Sequence, residues 1–256
     1  MKMLNLIMII ITFFSISFTL YYIYNFCTNL DVFEYNNINY TKTLLLIGGV
    51  HGNEPSGSIG LIGLKTQLDE NKIDLKKTRI ILMPYVNKCG LAMNLRNLLF
   101  FTDINRNFID DTKSNINIKI LEYVKMIKNS DLIIDIHEGY DFHRINNNSI
   151  GSTLFASTEF ALEITQKIYN ILNVTITDPN KQFKILTYNT ITDNNMYSPM
   201  PIINGTLDYY TFNNKINYIL IEITGQNSVH FIEDRIKQLG IIFTVIQQLY
   251  VISEIK

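Results

Sequence analysis

Cysteine is scarce in this chain of 256 residues: Cys27 lies beside an apolar N-terminal run and Cys89 in the body. Neither a disulfide framework nor a thiolate metal cluster is therefore expected, and any metal falls to histidine and carboxylate. An excess of charge of one sign is missing too. The formal net charge is −1, and no cluster of Lys and Arg forms a stripe able to neutralise phosphates, which argues against nucleic acid as a partner. The chain also lacks internal repeats and low-complexity blocks. With 47% hydrophobic and 18% charged residues it is neither disordered nor fibrous, and it is long enough to bury the core of one domain.

Residues Met3 to Tyr24 form an almost unbroken apolar and aromatic run, long enough to cross a bilayer as a helix. Lys2 precedes it, while Asp31 and Glu34 follow, which favours a cytoplasmic N-terminus and an external body. A cleaved signal peptide is the alternative, with Ser15 and Ser17 as small residues near a cleavage site, but the apolar run continues beyond them. Tyr24, Asn25 and Phe26 before Cys27 do not make a lipoprotein cleavage site. The expected organisation is an anchor or signal over 1–26, a linker over 27–42 and one domain over 43–256, working outside the cytoplasm.

Within that domain, Thr43–Val50, Arg79–Tyr85, Leu132–Ile136 and Asn217–Ile223 read as buried strands. Pro55–Leu68, Ile116–Lys128, Glu159–Leu172 and Phe231–Ile252 read as helices. The alternation predicts an α/β fold, a three-layer α/β/α sandwich with a mostly parallel mixed sheet and ligands at the strand ends. Asn173 to Asn204, rich in Thr, Asn and Pro, reads as loops framing a pocket.

Four signals carry chemistry. In Gly48-Gly49-Val50-His51-Gly52-Asn53-Glu54-Pro55 an imidazole and a carboxylate sit three apart where a strand turns into a helix. A phosphate loop would need Lys after Gly57, where Ser58 stands. The strand Leu132–Ile136 ends in His137-Glu138-Gly139; a zincin helix is excluded because Asp141 occupies the second histidine position and Gly139 opposes helix. His51, Glu54 and His137 together make a two-His, one-carboxylate set that leaves a fourth zinc position open. Arg96 and Asp103-Ile104-Asn105-Arg106 offer polar groups, among them a bidentate fork for a substrate carboxylate. Glu222 sits inside an apolar strand, where an unpaired carboxylate is costly, so it either points to solvent or serves as a base.

In this chain order the four signals resemble the zinc carboxypeptidases of the M14 type, including the succinylglutamate desuccinylase and aspartoacylase branch and the murein-peptide carboxypeptidases. The resemblance runs from about Thr43 to Gly225. It implies one zinc ion held by His51, Glu54 and His137, with Asp103 orienting His51. It further implies that Arg96 steadies the oxyanion, that Asn105 and Arg106 grip a free carboxylate, and that Glu222 is the general base. Gly205-Thr206-Leu207-Asp208-Tyr209 resembles the family's closing block, placing Asp208 at the specificity pocket. Where digestive carboxypeptidases use a tyrosine, this chain has Met200, with Tyr197 nearby, so no such tyrosine is assigned. The domain has no room for the extra β-domain of typical aspartoacylases. It carries a distinctive run after the third ligand, through His143 and Arg144, which read as rim residues, with contact to substrate as the alternative. His230 reads as structural.

The implied reaction is zinc-dependent hydrolysis of the C-terminal amide of a peptide, a peptidoglycan stem peptide by analogy. Deacylation of an N-acyl amino acid is the alternative, and a silent zinc- or peptide-binding surface module a third reading.

Overall fold

The computed structural model describes residues 2–97, 103–188, 196–225 and 232–248. It opens with helix α1 (Lys2–Thr28), whose stretch Met8–Thr28 is long and apolar enough to cross a membrane and is exposed from Met8 to Phe26. At 1.5 Å per residue such a stretch covers about 30 Å, the thickness of a bilayer's hydrocarbon core. Tyr21, Tyr22 and Tyr24 are exposed near its C-terminal end, where amphipathic rings suit a membrane–water boundary.

Here the structure corrects one expectation. Cys27, fully buried at the end of α1, forms a disulfide with Cys89 of helix α3 (Lys88–Met93), across a sequence separation of 62. Spacing alone could not reveal the pair, because only tertiary packing brings α3 under the end of α1. Lys88 adds a 2.7 Å ion pair to Asp31. The stretch expected as linker also contains β1 (Phe33–Tyr35), which pairs antiparallel with β3 (Thr78–Met83), and Glu34 bonds Arg79 at 2.6 Å.

Among the described residues the sheet has eight strands in the order β1-β3-β2-β4-β8-β5-β6-β7. Its centre is the parallel block of β3, β2 (Lys42–Gly48), β4 (Leu132–Gly139) and β8 (Tyr218–Thr224). Their near-continuous apolar runs are buried on both faces, as central parallel strands must be. Alternate residues serve opposite layers. Leu44, Leu46, Ile134, Ile136, Ile219 and Ile221 face helices α2 (Pro55–Asp69), α5 (Glu159–Thr175) and α7 (Ile232–Ile246). Leu45, Ile47, Ile133 and Leu220 face α4 (Asn115–Lys125) and α6 (Leu207–Asn213). Each such side chain contributes about 1.5–3 kcal/mol on burial, and the result is the three-layer α/β sandwich the alternation predicts.

The far edge makes the sheet mixed, as expected, and departs from expectation only where loops were read. β5 (Thr153–Ala156) runs antiparallel to β8, and β6 (Lys184–Thr187) and β7 (Tyr197–Pro199) extend the sheet from within the stretch read as loops. Strands of three or four residues are too short for a period-2 signal. His230, Phe231 and the expected end of the last helix lie outside the described residues.

Removing the disulfide by Cys27→Ser or Cys89→Ser is expected to lower stability by about 2–4 kcal/mol, measured by denaturant unfolding of the detergent-solubilised chain. The untreated protein should show no reactive thiol until reduced.

Candidate metal centre

The centre forms where β2, β4 and β8 end. After β2 the chain turns at Gly49, whose φ of +67° suits a residue without Cβ. A side chain on Gly52 would run into the Gly90 backbone, so this turn lies flush on α3. The turn carries His51 and Glu54 and enters α2 at Pro55. On β4 the two-residue period puts Asp135 and His137 on one face, continuing from Ile133. On β8 the same period carries Tyr218 and Leu220 on to Glu222, which stands in register with His137.

His51, Glu54 and His137 are buried, and one ligand atom of each lies within 4.8 Å of the others. His51 Nδ1 and His137 Nδ1 are 3.2 Å apart, and each is 2.8 Å from a Glu54 oxygen. Behind them, His51 Nε2 lies 3.2 Å from Asp103 and His137 Nε2 lies 3.3 Å from Asp135. Every ring nitrogen thus faces a carboxylate, which can only accept, while a neutral imidazole carries one proton. With those protons on Nε2, both Nδ1 lone pairs and the Glu54 oxygens converge with too few protons to share. A divalent cation satisfies such a set, two imidazole nitrogens and one carboxylate with a further position open. Burial opposes ionisation of Glu54, yet His51 and His137 hold its carboxyl well below the usual range. Burial also opposes charge on His137, but Asp135 and Glu54 raise its pKa well above that of a free imidazole.

The other predicted residues gather around this cluster. Asp103 caps a short 3-10 turn, accepting from Asn105 N–H at 2.9 Å with the oxygen that faces His51. Burial disfavours its charge, but the His51 hydrogen bond and the charges of His51, Arg96 and Arg106 keep it ionised well below the normal range. Arg96 donates to Glu54 and Asp103 at 3.3 Å each. Asn105 Oδ1 accepts from Leu207 N–H at 2.9 Å, which ties the turn to α6. Arg106 and Asp208 line the same cleft. Burial pushes the Asp208 carboxyl up, and it accepts a hydrogen bond from Tyr188. Glu222 is buried and its Oε2 has no hydrogen-bond partner among the described residues. Burial first, with Glu54, Asp135 and Asp208 nearby, pushes its carboxyl well up against the pull of His137.

Some residues went unnoticed in the sequence. Asp135, wholly buried and also bonded by Tyr218 at 3.1 Å, holds His137 from behind; its place two residues before a histidine on a strand was the available signal. Tyr140 lines the cleft with 57% of its surface exposed. Tyr197 is turned away, its hydroxyl bonded by Gln166 at 2.5 Å, while Met200 lines the cleft. His143 and Arg144 are not rim residues: His143 is buried against the Ser149 carbonyl at 2.6 Å, and Arg144 donates to the Gln182 and Phe183 carbonyls.

Residues 40–191 match the model of the succinylglutamate desuccinylase/aspartoacylase catalytic domain, and the chain belongs to that family. Among solved structures it is similar to the tripeptide-bound cell shape determinant Csd4 of Helicobacter pylori, at TM-score 0.65 and 18% identity over 87% of this chain and 56% of that one. The mDAP-bound form of Csd4, described as a D,L-carboxypeptidase, matches at TM-score 0.61 and 17% identity over 86% of this chain and 54% of that one. A candidate metallopeptidase of Shewanella amazonensis matches at TM-score 0.62 and 17% identity over 88% of this chain and 83% of that one. The chain thus spans a little over half the length of the Csd4 chains, and the shared feature is the fold. No curated protein sequence matches.

Asp135→Asn is expected to weaken metal binding about 10- to 100-fold without unfolding the protein, because a carboxamide no longer fixes the ring tautomer; chelator competition measures it.

Proposed function

We propose that this chain is a zinc metallocarboxypeptidase that hydrolyses the C-terminal amide of a peptide, with a peptidoglycan stem peptide as substrate. The observation that carries this reading is Glu222, a buried carboxylate with an unpartnered oxygen, in register with His137 at the edge of a donor set suited to a metal. His51, Glu54 and His137 hold the ion, and zinc suits two imidazoles, a carboxylate and hydrolysis. Zinc held there would supply Lewis acidity, polarising the scissile carbonyl and making the attacking water more acidic.

The protein's own groups then divide the work. Glu222 accepts the proton of the attacking water and returns it to the leaving amine. Arg96 offers its guanidinium to the oxygen that gains charge. Asn105 and Arg106 hold the free carboxylate of the substrate, which fixes the scissile bond at the C-terminal residue. Asp208 contacts the residue to be released, and Asp103 orients His51. The likeness to Csd4, solved with a tripeptide and with mDAP, supports a peptidoglycan peptide.

The family match gives deacylation of an N-acyl amino acid specific support as the second reading. A silent binding module is disfavoured, because it has no use for the cost of burying Glu222. The location we propose is a membrane anchor in α1 with the body outside the cytoplasm, cleavage as a signal being the alternative. The Cys27–Cys89 disulfide supports an oxidising compartment.

With muropeptides as substrate, Glu222→Gln is expected to keep its zinc and lose about 100- to 10,000-fold in kcat. Arg106→Ala should cost about 1.5–3 kcal/mol in kcat/KM through substrate binding. Release of amino acid from acyl-aspartate or succinyl-glutamate, but not from peptides, would transfer the assignment to deacylation.

A further inference from the structure

Glu54 occupies the N-cap position of α2, where a side chain normally accepts a hydrogen bond from the first turn. It makes no such bond, because both its oxygens are turned to His51 and His137. The first turn of α2 is nevertheless buried, with Ser56 fully so, and a bare helix end inside a protein is costly. Glu138 supplies the cap from another element. Its Oε1 accepts from the Ser56 N–H at 2.6 Å and from the Ser56 hydroxyl. Its Oε2 is paired with Arg235 of α7.

Glu138 follows His137 on β4, so its side chain leaves the sheet on the face opposite the cluster, the face that α2 and α7 cover. Its backbone N–H points back to the cluster and donates to Glu54 Oε2 at 3.1 Å. One residue therefore holds Glu54 twice, directly through its amide and indirectly through the helix turn that follows Glu54. The turn has little slack, since a Cβ on Gly57 would meet the Ile136 carbonyl oxygen at 2.8 Å. A negative charge at a helix N-terminus is favourable in itself, and Arg235 compensates its burial.

We propose that Glu138, locked by Arg235, is a positioning residue for the metal site, setting Glu54 through the first turn of α2. This rests on the metal-site reading above and is independent of which substrate is cleaved. The test is zinc affinity of the full chain in detergent, by competition with a chromophoric chelator, with the visible spectrum of the cobalt-substituted protein as a second readout. Glu138→Gln and Glu138→Ala are expected to bind zinc about 10- to 100-fold more weakly while circular dichroism shows the fold retained. Arg235→Gln should lose about tenfold with an altered cobalt spectrum, and Arg235→Lys should restore affinity to within about threefold of wild type.

A purely structural role would lower the melting temperature and leave the affinity of the folded protein unchanged. Wild-type zinc affinity in the Glu138 variants overturns the proposal. Should those variants fail to fold, wild-type affinity in Arg235→Gln overturns it equally. A wild-type protein that binds no zinc overturns it together with the metal site, whereas zinc binding without peptide cleavage refutes the proposed substrate and leaves this inference standing.

Discussion

Two buried carboxylates, a half-buried third and two buried imidazoles share too few protons, and the organisation of this end of the sheet follows from that shortage. Asp103, Glu54 and Asp135 bracket His51 and His137 so that every ring nitrogen faces an acceptor. Arg96 and the Glu138 amide relieve part of the excess negative charge at Glu54. A cation held by His51, Glu54 and His137 would relieve the rest. Without one, the cluster would be an expensive way to fill a protein interior, since unpaired buried charge costs several kcal/mol per group.

The sheet supplies the geometry at low cost. Parallel strands buried on both faces end together, and their two-residue period delivers Asp135, His137 and Glu222 to one face without special loops. The residues between them, Ile134, Ile136 and Ile221, anchor the opposite layer. Function and stability are thereby divided by parity along the same strands. The Asp103 turn and the Gly-rich turn after β2 close over that edge, each fixed by backbone contacts to α6 or α3. Because α3 is also bonded covalently to the end of α1, the same short helix links the apolar N-terminal segment to the turn that carries His51.

Much of this was legible in the sequence. The cluster of His51, Glu54 and His137, a group that could hold a metal ion, could be read because His51 and Glu54 sit at a strand-to-helix turn and His137 at the end of an apolar strand, positions where polar residues need a reason. Glu222 was conspicuous for the same reason. The layers followed from long apolar runs and helical spacing. What escaped depended on packing between distant segments. Cys27 and Cys89 pair only because α3 folds under α1, and β5, β6 and β7 are strands only because a neighbour hydrogen-bonds them. His143 and Arg144 looked like surface polarity and turned out to pin a loop, since a charged side chain in sequence does not reveal which carbonyls surround it. Glu138 was dismissed with the zincin pattern, and its capping of α2 becomes visible only once β4 and the helix lie side by side.

Whether His51, Glu54 and His137 form one metal site is decided by metal content per chain after exhaustive dialysis, for the wild type and His137→Ala. One zinc ion per wild-type chain and none in the variant is the expected result. A wild-type protein that retains no metal, or a variant that keeps its full complement, would contradict it.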